Sequence, residues 1–105
     1  MNIQLNTYEY LLLIVGSFRY ALGRQTYVVE ETISFLKKNW NELDVAIKDI
    51  IIRDLNREIE LHQSCMKSKG YQSLDDGWVT TNLGGKYDII SWLNFQEWIN
   101  TNDKK

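Results

Sequence analysis

Proline is absent from this chain of 105 residues. The strongest helix breaker is therefore missing, and helical patterns can run without interruption. Cysteine occurs once, as Cys65, which excludes an intrachain disulfide and fits a reducing compartment. Histidine also occurs once, as His62. A thiol nucleophile needs a base, but the plainer reading of Cys65 is a small hydrophobe beside a helix-end histidine. Long apolar runs are lacking as well. The most apolar stretch, 11–15, falls far short of the roughly twenty residues that span a membrane. No basic segment precedes it and no small-residue cleavage pattern follows, so a cytoplasmic location is expected.

Nor is there an excess of either charge. Twelve basic and fourteen acidic residues leave a net charge of −2. That balance suits neither a nucleic-acid binder driven by phosphate contacts nor a mimic of DNA. Nucleophile elbow, zinc spacing, dinucleotide fingerprint and phosphate loop are all missing. The expectation is a protein that binds rather than catalyses, with no cofactor and no metal.

What is present suffices for a core. With 44% apolar residues, a chain of this length forms one domain and hides roughly two-thirds of its unfolded surface. The domain is expected to span 1–105, with flexible ends at 1–5 and 101–105.

The periodicities are mostly helical. A first helix is predicted over 6–22, with Asn6 as cap and Glu9 three residues on. Its apolar residues surround almost the whole wheel, which marks a buried, central helix. A second is predicted over 26–40, capped by Thr26, with Val29, Ile33, Leu36 and Trp40 on one stripe that Val28 and Phe35 widen. Asp44 caps a third, to about 66, whose apolar arc holds Ile47, Ile50, Ile51, Leu55, Ile59, Leu61 and Cys65. Asp49, Arg53, Asn56, Arg57 and Glu60 form its solvated face. Asp54 and Glu58 interrupt the arc one turn apart, and a carboxylate facing a core is costly unless it is paired.

Periodicity fails over 67–87, where Asp75, Asp76, Gly77, Asn82, Gly84 and Gly85 supply turn chemistry. A last helix, 88–100, buries Ile89, Trp92, Leu93 and Ile99 and leaves Ile90 and Trp98 partly exposed. The fold expected is all-α: a compact four-helix domain with a buried first helix and an irregular insertion between helices three and four. A short β-hairpin around Trp78 is the alternative for that insertion.

Four constellations could carry function. Arg19 and Arg24 flank the first helix junction together with Tyr20 and Tyr27. Asp54 or Glu58 is the natural acid for the Arg19 fork, and an internal ion pair of Arg19 with Asp54 and Glu58 is the plainer reading. The functional one is a cleft in which an arginine stays free to grip a phosphate or carboxylate. The glycines and lysine at 84–86 precede a helix whose free amides can hold an anion. Trp78 and Trp98 fall outside the expected core, and tryptophan is enriched where interfaces concentrate their energy; self-association to a homodimer is the simplest such interface. Asp54, Glu58 and His62 follow at four-residue steps, but three ligands on one helix splay rather than converge.

The string Arg19-Tyr20-Ala21-Leu22-Gly23-Arg24-Gln25-Thr26-Tyr27, with a helix over 50–57 and a closing Leu83-Gly84, Asp88 and Trp92-Leu93, resembles small proteins of phages, prophages and bacterial mobile elements. The resemblance runs from Phe18 to Trp98, and the arginine–tyrosine string is its specific part. It implies an anti-defence protein of the anti-CRISPR kind, which inhibits by occupying a host protein such as a Cas nuclease. Trp78, Trp98, Asp49, Arg53 and Arg57 are then the expected contacts. The alternative is a sponge for a nucleotide immune messenger. There Arg19 and Arg24 take phosphates, Tyr20 or Tyr27 stacks on a base, and 84–86 closes the pocket. A small DNA-binding regulator ranks last, because Arg53 and Arg57 are interleaved with Asp49, Asp54 and Glu60.

Overall fold

Val29, Ile33, Leu36 and Trp40 recur at three- and four-residue steps, and all four are buried along one side of a helix and the turn that ends it. The computed structural model describes residues 16, 18, 21, 22 and 26–102, the side chains of Thr26 and Tyr27 excepted. Three α-helices lie within them: α1 (Thr26–Asn39), α2 (Val45–Ser68) and α3 (Lys86–Asn102). A 3-10 turn, Trp40–Glu42, links the first two. Gly16, Phe18 and Ala21 are also helical, and Phe18 and Ala21 are fully buried. The rest of the predicted first helix lies outside the described residues.

The all-α class holds. Among the described residues there is no strand, only an isolated bridge between Thr81 and Gly84. Trp78 stands in irregular chain, because a lone extended stretch has no partner for its backbone groups. No helix of the described residues is long and apolar enough to cross a membrane.

α3 packs against both α1 and α2. Its pairing with α2 is antiparallel: the Gln96 amide donates to Asn56 Oδ1 at 2.8 Å, while Leu93 shares a cavity with His62 and Met66. Aromatic rings fill the centre. Phe18 meets Trp92 edge-on at 5.7 Å, and Trp40 meets Phe95 and Trp98 edge-on at 6.1 Å. Pairs of this geometry add about 0.5–1.5 kcal/mol each beyond their buried area.

Several boundaries and faces differ from expectation. Thr26 is already helical and so is not the cap. Trp40 belongs to the 3-10 turn. Asp44 does precede α2, but its side chain makes no cap bond; its carbonyl accepts the Lys48 amide at 3.0 Å. α2 continues to Ser68, and α3 runs from Lys86 through Thr101 and Asn102, two residues expected in the tail.

Phe35 is exposed, since it lies about 120° from Val29 around a 3.6-residue helix. Leu61 is half exposed for a related reason. The buried face of α2 passes through Ile47, Ile51, Asp54, Leu55, Ile59, His62 and Met66, so its centre includes polar positions that apolarity alone would not select. Asn56 is half-buried by its bond to Gln96 rather than solvated.

Candidate functional site

The chemistry of the described residues collects on the inner side of α2. Asp54, Glu58 and His62 stand one turn apart along it, on a line that a four-residue step keeps nearly in register. Asp54 is buried and lies 3.5 Å from the exposed Arg53 Nε. Glu58 Oε2 is sealed from solvent with no hydrogen-bond partner among the described residues, and so is His62 Nε2. A buried polar atom left unpaired costs about 1–3 kcal/mol. His62 is only 4% exposed, and burial pulls its imidazole below its ordinary value of 6.5. Among the described residues no group of His, Cys, Asp and Glu could hold a metal ion.

Two cavities border this line. The first, about 350 Å³, is lined by Asp54, Arg57 and Glu58 of α2, with Leu22 on one side and Asn82 of the loop on another. It adjoins the helix junction that the sequence singles out. Among the described residues its lining brings two carboxylates and one guanidinium.

The second, about 610 Å³, lies at the far end of α2, where His62 and Met66 meet Leu93 of α3. The helix ends there in a Schellman motif: the Gly70 amide donates to the Lys67 carbonyl at 3.0 Å and the Tyr71 amide to the Met66 carbonyl at 3.0 Å. Gly70 takes φ of +77°, which that motif requires. The motif brings Tyr71 to the wall of the cavity.

The loop beyond is held by its own side chains. Asp76 Oδ2 accepts the amides of Gln72 at 2.9 Å and Ser73 at 3.2 Å. The backbone of Gly77 lies against the Tyr71 ring so closely that a Cβ there would come within 2.7 Å of ring Cζ. Trp78 follows, 48% exposed. Further on, Thr81 Oγ1 accepts the Leu83 amide at 3.3 Å, and Leu83 is fully buried. At the start of α3 the Gly85 amide donates to Asp88 Oδ2 at 3.1 Å. This is half of a capping box, so a carboxylate of the chain itself takes the amide that an anion site at 84–86 would have used. Lys86 Nζ reaches Asp75 at 3.9 Å, a loose and exposed pair worth little.

Of the expected site residues, Asp54, Glu58 and Arg57 come together in the smaller cavity, and Arg53 stands beside Asp54. Trp78 is exposed on the loop. Trp98 is half-buried, with its ring stacked on Phe95 and Lys37 Nζ 5.8 Å from its centroid. It is therefore part of the aromatic cluster as much as of the surface. Asp49 is exposed on α2. Arg19, Tyr20, Arg24 and the Tyr27 side chain lie outside the described residues.

Met66, Tyr71 and Leu74 carry no expectation from pattern, and Leu93 is expected only as a buried residue of the last helix. A usable signal was present: a polar run at 67–69, then Gly70 and an aromatic residue, is the sequence form of a Schellman stop with its apolar contact. No family model, curated protein or solved structure matches this chain.

Proposed function

We propose that the protein is a non-enzymatic inhibitor from a phage or mobile element that acts by binding a protein of bacterial defence. The observation that carries this reading is Trp78. A large aromatic side chain stands exposed on a loop whose backbone is tied down by Asp76, Gly77 and Thr81. A preorganised aromatic anchor loses little entropy on docking, which is where interface energy concentrates. Tyr87 and Ile90 are exposed as well, on α3. The exposed charges of Asp49, Arg53 and Arg57 are candidates for its rim.

The capture of a nucleotide at the helix junction has less support. The cleft there brings two acids and one arginine from the described residues, and the Gly85 amide is already bound to Asp88. Under the favoured reading the first helix, 6–22, is the fourth member of the domain, and Arg19 pairs with Asp54 or Glu58. The buried, helical Phe18 and Ala21 support that placement.

The test is phage plating on bacteria that carry a CRISPR nuclease and a matching spacer, or another protein effector of defence. Expression of the wild-type chain should restore plaques, and Trp78→Ala should not, while remaining folded. Immunity left intact against every effector tried would overturn the proposal.

A further inference from the structure

α1 carries a stripe of four residues on the side turned away from the core. Glu31, Ser34, Phe35 and Lys38 recur at steps of three, one and three, which keeps them within about 100° of one another around a 3.6-residue helix. All four are exposed, and Phe35 stands 45% open. One open apolar side chain is ordinary on a folded surface. The charges on either side of it are what distinguish this one.

Glu31 is the sixth residue of α1, and the first turn holds no acid. The helix dipole fades beyond that turn, so it does not explain the position of Glu31. The residues one turn after Glu31 are Ser34 and Phe35, and the same two lie one turn before Lys38. Neither charge therefore meets an opposite one on α1. Neither takes part in an ion pair among the described residues.

The stripe is complementary to itself. A two-fold axis crossing α1 between Ser34 and Phe35 sets two copies of the helix antiparallel and exchanges the four positions in pairs. Glu31 then faces Lys38 of the partner subunit, Lys38 faces the partner's Glu31, and these two pairs stand about 10 Å apart. Between them, Phe35 meets the small side chain of the partner's Ser34. An isologous contact needs such self-complementarity. A parallel register would instead set Glu31 against the partner's Glu31 and Lys38 against the partner's Lys38.

We propose that this chain forms a homodimer through the outer face of α1, antiparallel about Ser34 and Phe35. One helix of 14 residues gives a contact at the small end of specific interfaces, so the dimer is weak and exchanging. The inference goes beyond the inhibitor reading, and its test needs no defence system.

The full chain is studied by sedimentation equilibrium from about 10 μM to about 1 mM. Wild type should pass from monomer toward dimer across that range, and less so at high salt. Glu31→Lys and Lys38→Glu each place like charges opposite one another at both ends. Each should weaken association about tenfold or more. Both positions are exposed, and circular dichroism should show the helix content unchanged. An equimolar mixture of the two variants again sets opposite charges together at both ends, and should associate at least as tightly as wild type. Phe35→Ala keeps every charge and should also weaken the dimer. A wild type that stays monomeric at the highest concentration, charge variants that associate as tightly as wild type, or a mixture no tighter than its components would overturn the assignment.

Discussion

Asp88 Oδ2 accepts the Gly85 amide at 3.1 Å across the first turn of α3. The Ile89 amide in turn donates to the Gly85 carbonyl at 2.9 Å, so Gly85 is the cap and Asp88 stands three residues inside. A negative side chain at this end also meets the positive end of the helix dipole. Asp88→Ala should cost about 1 kcal/mol, a fall of roughly 5 °C in the thermal midpoint. Circular dichroism melts of the two proteins measure it. An unchanged midpoint would show that the cap is not a stabilising contact.

His62 gives stability a pH dependence of known sign. Desolvation lowers its folded pKa below 6.5, so the unfolded chain binds the proton more readily than the folded one. Stability is then fully present above the unfolded value and declines as pH falls from there toward the folded value. Urea denaturation at about pH 7.5 and about pH 5.5 should show the loss. His62→Leu should flatten this part of the profile and, by removing the unpartnered Nε2, should stabilise the fold more at the lower pH. A wild-type midpoint that rises on acidification through this window would contradict the burial of a neutral imidazole.

How far the fold could be read in advance depended on what decides each face. Val29, Ile33, Leu36 and Trp40 declare α1 because apolar residues alone line its buried side. On α2 the burial of Asp54 follows from its position in the arc, but Leu61, expected in that arc, is half exposed, and His62, given no face, is buried. The true face centres on polar side chains, and a reading guided by apolarity turns the helix toward the leucine. Residues 71–85 were legible only as turns. Their shape depends on side-chain bonds such as Asp76 to Gln72 and on the fit of Gly77 to Tyr71, which periodicity does not encode. The larger cavity escaped notice because its walls come from α2, the loop and α3, distant in sequence.

Gly77→Ala tests whether the loop is held through Tyr71. The added Cβ would fall 2.7 Å from ring Cζ, and φ of +151° is unfavourable for any side chain. Strain of this kind costs about 1–3 kcal/mol, and the loop can shed it locally without unfolding the helices. The loop should therefore open more often while the global melt changes less. Limited chymotrypsin digestion should cut at Tyr71 or Trp78 about tenfold faster, the equivalent of 1.4 kcal/mol in local opening. Equal cleavage rates would mean that the ring and the glycine are not coupled.

Trp78 and Trp98 separate an interface from a core. Trp78 is 48% exposed and has no ring contact with the aromatic cluster among the described residues. Trp78→Ala should therefore leave stability within about 0.5 kcal/mol while removing the proposed anchor for a partner. Trp98 stacks on Phe95 at 6.1 Å with an interplanar angle of 25° and meets Trp40 edge-on. Trp98→Ala should destabilise by about 2 kcal/mol or more, so any loss of inhibition it causes follows loss of fold. Paired melts and plating assays on the two variants make the distinction. Inhibition that survives Trp78→Ala in a fully folded protein would remove the loop from the interface and leave Tyr87 and Ile90 as the surface to examine.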